Sequence, residues 1–279
     1  MDAWISRFAD RSPLLWPLRE AARQFEGGDW PTLSGTQQVL DRARIRTASG
    51  LPLRLTPPAG GTAGPYEIRL HARGELEFRE RNWHDLFNVL VWLTLPRSKA
   101  ALNARHHAAW MAHSAGGTGR RGAVRDALTL FDESGVIVLS ADAGLLRMIR
   151  DFRWRPLFWG RRATVVRDMC FLPFGHALCE KALAPYKGMT GRGLLLEVGR
   201  ELLESPPVEQ LAQVDARVAQ WLTDPQALLR TQELAPLPVL GVPGWCDDNE
   251  QAAYYDDAGH FRPGRARRGA DGTAMKARE

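Results

Sequence analysis

Apolar residues along the chain follow two rhythms, one near 3.6 residues and one near two, and together they set out the expected elements. Between residues 83 and 93, Trp83, Leu86, Phe87, Val89, Leu90, Val91 and Leu93 cover more than half of a helical circumference. Only His84, Asp85, Asn88 and Trp92 share the remaining arc, so this helix is expected to be largely buried. The same period predicts helices over 99–113, 174–184 and 208–222, with a shorter one over 36–43. Alternation with a period of two predicts hairpins over 66–78, broken at Gly74, and over 126–140, where ALTLF and VIVL flank the turn DESG. Residues 162–171 and 194–198 are further strand candidates, and the Pro/Gly-dense run 56–65 is a loop. Helices and hairpins mix without a βαβ rhythm. The expected fold is therefore α+β, a single domain of helices packed with short antiparallel hairpins.

Composition changes this picture mainly at the C-terminus. The chain has 279 residues, ten of them Trp, enough for a sizeable core. The net charge of +5 suggests a nucleic-acid partner until its location is checked. From His260 onward six Lys/Arg oppose two acids, so four of the five net charges sit there and the body is nearly neutral. A globular domain over 1–263 is expected, followed by a basic tail over 264–279 too poor in large apolar residues to order itself. A solubilising tail is the plainer reading and an electrostatic tether the sharper one.

Cys170, Cys179 and Cys246 form no CxxC pair and build neither a disulfide framework nor a four-thiolate site. The start MDAWISRFAD has no apolar signal region, and the longest apolar stretch, 87–95, is about half of the roughly 20 residues a spanning helix needs. A cytoplasmic protein without a membrane span is expected.

The candidate chemistry gathers on few elements. On the first buried helix, Asn82 is a good N-cap and Asp85 suits the free N–H groups of the first turn. His84 and Asn88, one turn apart, have no such structural excuse. On the next helix, bounded by Pro96 and capped by Ser98, one face carries Lys99, Leu102, Asn103, His106, Ala109, Trp110 and His113, a mixture suited to a semi-buried polar site. His106 and His113 are about 10 Å apart along the axis, too far to share an ion, and His106 and His107 point about 100° apart. His176 and Glu180 lie at i, i+4 with Cys179 beside them, but no third ligand is near and no HExxH motif is present, so no metal set is assigned and no cofactor is implied. The loop 114–122, SAGGTGRRG, has the glycines and arginines of an anion nest without a P-loop spacing. Arg125 and Asp132 flank the expected second hairpin. The segment 147–162, RMIRDFRWRPLFWGRR, interleaves arginines and aromatics as single-stranded nucleic-acid binders do, with Arg150, Arg153, Trp154, Arg155, Trp159, Arg161 and Arg162 as contacts. The plainer reading has its aromatics inward and its arginines paired with acids. No Ser-His-Asp order, GxSxG elbow or dinucleotide fingerprint occurs.

Four segments carry a resemblance: NWHDLFNVLVWLTLPRSKAALNARH (82–106), RDALTLFDESG (125–135), FGHALCEKALAPYKGMTG (174–191) and PLPVLGVPGW with the later YYDDAGHFRP (236–263). In this word order the chain resembles the bacterial domain-of-unknown-function family 3025. The resemblance brings no reaction and no catalytic residues. It implies one domain, with the YYDD and HFRP words in its body and order ending near Pro263.

The residues lead to a small hydrolytic enzyme with a polar site of His84, Asn88, Asn103 and His106, closed by Arg125, Asp132 and His176. A histidine would act as base, and Lys99 or an arginine would stabilise an anion. Nucleic-acid binding through the Arg/aromatic segment and tail, or an adaptor role for a Trp-rich surface, are the alternatives.

Overall fold

Short 3-10 turns, Phe8–Asp10 and Pro13–Leu18, lead into helix α1 (Arg19–Ala22). The chain continues through α2 (Leu33–Ala43), β1 (Arg54–Thr56), α3 (Tyr66–Arg73) and β2 (Glu75–Glu77). Three long helices follow, α4 (Trp83–Thr94), α5 (Pro96–Ser114) and α6 (Arg120–Ser134). Then come β3 (Gly135–Ser140), α7 (Ala143–Arg150), α8 (Arg162–Asp168), β4 (Met169–Pro173), α9 (His176–Lys181), β5 (Thr190–Glu197), α10 (Arg200–Leu203), α11 (Pro207–Thr223) and β6 (Ala235–Pro238). The computed structural model describes residues 3–58, 65–114 and 120–264, without the side chains of 113, 114, 120 and 121. The loop 114–122 and the tail after Gly264 therefore fall wholly or mostly outside the described residues.

The architecture is α+β. A four-stranded sheet in the order β4-β3-β5-β6 carries β3 at its centre, with all six β3 residues buried. β3 runs antiparallel to β4 and parallel to β5, with Val136 opposite Pro173 and Gly193, and β5 runs antiparallel to β6. A two-stranded parallel sheet pairs β1 with β2. Helix α4 packs on α9 and α5, and α5 on α6 and α11. No helix among the described residues is long and apolar enough to cross a membrane.

The expected hairpins are not hairpins. The antiparallel pairs of the larger sheet are joined by long helical crossovers, and both predicted hairpin segments contain a helix. Over 126–140 the run ALTLF belongs to α6, because Ala127, Leu128 and Phe131 bury one helical face while Asp126 and Thr129 stay exposed. Five residues fit either period, and the longer helix buries more of them. Over 66–78 the chain forms α3, with Arg69 and Leu70 buried, and Gly74 at φ 72° is its left-handed C-terminal cap and not the break of a hairpin. The strand expected over 162–171 is α8 followed by β4, whereas that over 194–198 falls in β5 up to Glu197.

Two caps also differ from expectation. The Asn82 side chain does accept the Asp85 N–H at 2.9 Å, but the Asp85 carboxylate takes the main chain and guanidinium of Arg79 at 2.7–2.9 Å, clamping the preceding turn. The start of α5 is capped from a distance: Asp215 of α11 accepts the N–H groups of Arg97 and Ser98 at 3.0 and 2.7 Å. Pro96 lies in the first turn, where its missing N–H costs nothing.

The junction that positions the site is a close main-chain crossing. The Gly135 carbonyl accepts the N–H groups of both Phe174 and Gly175 at 2.9 Å. A Cβ on Gly175 would lie 2.4 Å from Ser134 N and 2.5 Å from the Glu133 carbonyl carbon, and one on Gly135 2.4 Å from the Phe131 oxygen. Gly175→Ala is expected to destabilise the fold by about 1–3 kcal/mol through overpacking against main chain that cannot swing away. Chemical denaturation measures it, and an unchanged midpoint would show that the crossing is looser than described.

Candidate functional site

The crossing brings the end of α6 against the start of α9, opposite the first turn of α4. His84 follows the N-cap of α4 by two residues, His176 opens α9, Glu180 lies one turn further along α9, and Asp132 and Glu133 close α6. The two Nε2 atoms of His84 and His176 are 3.0 Å apart, and the rings meet edge to face with centroids 4.4 Å apart. Each imidazole has a carboxylate on the side of its other nitrogen, bonded for His84 and more distant for His176. Glu180 Oε2 is 3.1 Å from His84 Nδ1, and Asp132 Oδ2 is 3.8 Å from His176 Nδ1. Glu133 Oε1 reaches to 3.6 Å from His176 Nε2. The His84, His176 and Glu133 ligand atoms all lie within 4.8 Å of one another, so these three side chains could hold a metal ion.

Burial grades across the cluster. The His176 side chain is 5% exposed, His84 32% and Glu133 38%, so the centre is sealed on one side and open on the other. Burial drives the His176 pKa down to about 4, against the pull of Asp132, and keeps the ring neutral. Burial pushes the Glu133 carboxyl up, a shift that His84 opposes and Asp132 adds to. For Asp132 burial also works upward, yet Lys99 and His176 hold it below the ordinary carboxylate value.

Behind the histidines lies an inner polar layer joined to them through Asp132. Lys99 Nζ, on a 4%-exposed side chain, donates to Asp132 Oδ1 at 2.5 Å and sits about 6 Å from the centroids of the Trp92 and Phe174 rings. Asn88 Nδ2 donates to the Tyr66 hydroxyl at 3.4 Å, and Asn103 Nδ2 to the Glu67 carbonyl at 3.0 Å. Burial raises the Tyr66 phenol and lowers the His106 imidazole, with Asp132 among the charges acting on both. Asn88 Oδ1, Asn103 Oδ1, His106 Nδ1 and His176 Nδ1 are buried without a hydrogen-bond partner, a concentration of unmet polar atoms that ordered water would answer.

Of the residues expected from sequence, His84, His176 and Asp132 meet directly, and Asn88, Asn103 and His106 line the inner layer. Arg125 sits two turns before Asp132 on α6, and its guanidinium covers the Trp110 ring at 4.5 Å, so it is not brought to the imidazoles. Glu133 escaped the sequence reading because the hairpin assignment made it a turn acid, and Tyr66 was hidden in the other hairpin. The signal for both was the i, i+3 and i, i+4 burial pattern of their helices. His176 and Glu180 do sit on one helix as read, and His84 arrives beside them from α4, some ninety residues away in sequence.

Within the Arg/aromatic segment, Arg155 pairs with Asp256 at 2.5 Å, and Arg162 bonds the Asn249 carbonyl at 3.0 Å and the Glu250 carboxylate. Trp154 is buried with its Nε1 donating to the Arg262 carbonyl, while Arg150, Arg153, Arg161 and Trp159 are exposed. Two cavities lie away from His84 and His176. One of about 670 Å³ is lined by Phe152, Trp154, Arg192 and His260, and another of about 470 Å³ by Pro17, Leu93, Arg97 and Leu211.

The family model described as "Protein of unknown function (DUF3025)" matches residues 58–265. The chain belongs to this family. All members of the histidine centre and its inner layer fall inside the matched region. No curated protein and no solved structure matches the chain.

Lys99→Met would strand the Asp132 carboxylate beside a neutral, buried His176. A loss of about 3 kcal/mol or more is expected, as for breaking one side of a buried pair. Lys99→Met combined with Asp132→Leu should recover most of it. Urea denaturation of the two variants decides the point, and a single variant as stable as the parent would refute a buried pair.

Proposed function

We propose that the chain is a hydrolytic enzyme whose water-activating centre is the His84–His176 pair with Glu133. One observation carries the reading: two imidazoles face each other across 3.0 Å, with Glu180 bonded to the far nitrogen of His84 and Asp132 3.8 Å from that of His176, at a place that is half open to solvent. The Glu180 carboxylate behind His84 fixes that ring's tautomer and orientation, which is what proton removal from water asks of it. Glu180 and Asp132 are positioning residues in this scheme, and Lys99 offsets the charge of Asp132.

In the reaction, the water oxygen bonds to the electrophilic carbon or phosphorus of the substrate. The water proton is drawn off at the centre, and the leaving group departs with a proton returned to it. Glu133, on the exposed side, is the carboxylate nearest an incoming substrate.

No comparable observation favours nucleic-acid binding, since two arginines of that segment are engaged with acids and two of its aromatics, Trp154 and Phe158, are buried. The exposed large apolar residues, Met111, Trp159, Val166, Tyr186 and Val208, come from different elements and give an adaptor surface no focus.

The test is turnover of chromogenic esters, phosphoesters and anilides by the full chain and by His84→Ala. Hydrolysis of one linkage class is expected, with kcat/KM lowered about 10²–10⁴-fold in the variant. Equal rates for the two proteins, or no turnover of any class, would end this reading.

A further inference from the structure

The tautomers of the facing imidazoles lead beyond acid–base chemistry. Glu180 at 3.1 Å makes His84 Nδ1 the protonated nitrogen, so the His84 Nε2 lone pair points at His176. Without a cation, the contact at 3.0 Å requires His176 to donate from Nε2. That tautomer leaves the His176 Nδ1 lone pair buried, unpartnered and turned toward the Asp132 carboxylate at 3.8 Å. The opposite tautomer turns an N–H toward Asp132 but sets two lone pairs against each other. No arrangement of protons on the two neutral rings satisfies all four nitrogens.

A cation between the Nε2 atoms takes up both lone pairs at the contact. Both rings then carry their protons on Nδ1, facing Glu180 and Asp132, which is the carboxylate–histidine–metal arrangement that orients metal-ligating imidazoles. The spacing suits this occupant: two nitrogens on a tetrahedral ion at about 2.0–2.1 Å stand roughly 3.3 Å apart. Charge suits it as well. Glu133, Asp132 and Glu180 each lie within 4 Å of the pair, and Lys99, bonded to Asp132, neutralises one of them, leaving a net −2 around two neutral rings.

We propose that His84 Nε2, His176 Nε2 and a Glu133 oxygen form a binding site for one divalent transition-metal ion of the zinc class. The donor set selects the metal, because imidazole nitrogens suit zinc and its neighbours whereas magnesium seeks oxygens. Two histidines and one carboxylate fill three positions of a tetrahedral ion and leave the fourth, on the solvent side, for water or substrate. The ion, when bound, supplies a more acidic water and a Lewis acid. The proposal rests on the reading of this pair as the chemical centre, but the two can fail separately.

The experiment strips the full chain with a chelator and titrates it with Zn²⁺ by calorimetry. Co²⁺ serves in parallel as a spectroscopic probe of tetrahedral nitrogen and oxygen ligation. One equivalent of Zn²⁺ is expected to bind the parent. Glu180→Gln, which removes an outer-shell partner, should weaken binding about 10–100-fold, and His84→Ala by more than that. Glu133→Gln should also weaken it, and His84→Ala should abolish the visible Co²⁺ bands. Because His176 is buried and its replacement risks misfolding, the two half-exposed ligands carry the test, with circular dichroism confirming that their variants fold. Absence of Zn²⁺ binding, unchanged affinity in both His84→Ala and Glu133→Gln, or equal affinity for Mg²⁺ would each overturn the site. Hydrolysis that survives in chelator-stripped protein without Zn²⁺ affinity would refute the metal and keep the enzyme. Tight, ligand-dependent Zn²⁺ binding without hydrolysis would do the reverse.

Discussion

The arrangement of the site depends on one contact between main chains. Where α6 gives way to β3 and β4 gives way to α9, Gly175 comes so close to Glu133 and Ser134 that a Cβ has no room there, and the Gly135 carbonyl takes two N–H donors. That approach fixes the last turn of α6 beside the first residue of α9. Asp132 and Glu133 therefore arrive on either side of His176 as a consequence of backbone geometry rather than of side-chain attraction. Helix α4, buried over most of its surface, can pack on α9 only with its short polar arc toward this junction, and so His84 completes the group.

The cost of this arrangement is charge in the interior. Lys99, on α5, offsets part of it by bonding Asp132, and its ammonium lies about 6 Å from the Trp92 and Phe174 rings. The pair places a negative charge behind a neutral imidazole in a low-dielectric surrounding, where it acts more strongly than it would in water. Asp132 thus joins two layers: an outer centre of histidines and glutamates that meets solvent, and an inner one of Tyr66, Asn88, Asn103 and His106 whose unmet polar atoms keep the interior receptive to water.

The sequence was most legible where a helix is long and one-sided. The helices of His84 and of Lys99, Asn103 and His106 were readable because twelve or more residues gave the 3.6 period time to declare itself, and the polar arcs stood out against them. It was least legible over 66–78 and 126–140, where five or six residues satisfy a strand and a helix equally and only tertiary burial decides. That ambiguity hid Glu133 and Tyr66 and turned α6 into a hairpin. The crossing at Gly135 and Gly175 could not be read at all, since a glycine required by a neighbour forty residues away looks the same in sequence as one required by a turn. The pairing of His84 with His176 was likewise anticipated only as residue types sharing a hollow, because spacing within one helix says nothing about a partner on another.

A centre drawn from α4, α6 and α9 exists only in the packed chain. No two of its three proposed donors share a helix, so none of the local motifs by which metal or catalytic sites are read from sequence applies to it. The same distribution explains why the group sits at a graded boundary and not in one of the larger cavities. Donors from three helices converge where the helix ends meet, and helix ends meet at the edge of the core, where His176 is sealed and His84 and Glu133 are not. Convergence supplies the geometry, the buried aspartate supplies orientation, and the open side supplies access. These three conditions coincide at one place among the described residues because Gly175 lets the chain pass close enough to itself at the end of α6.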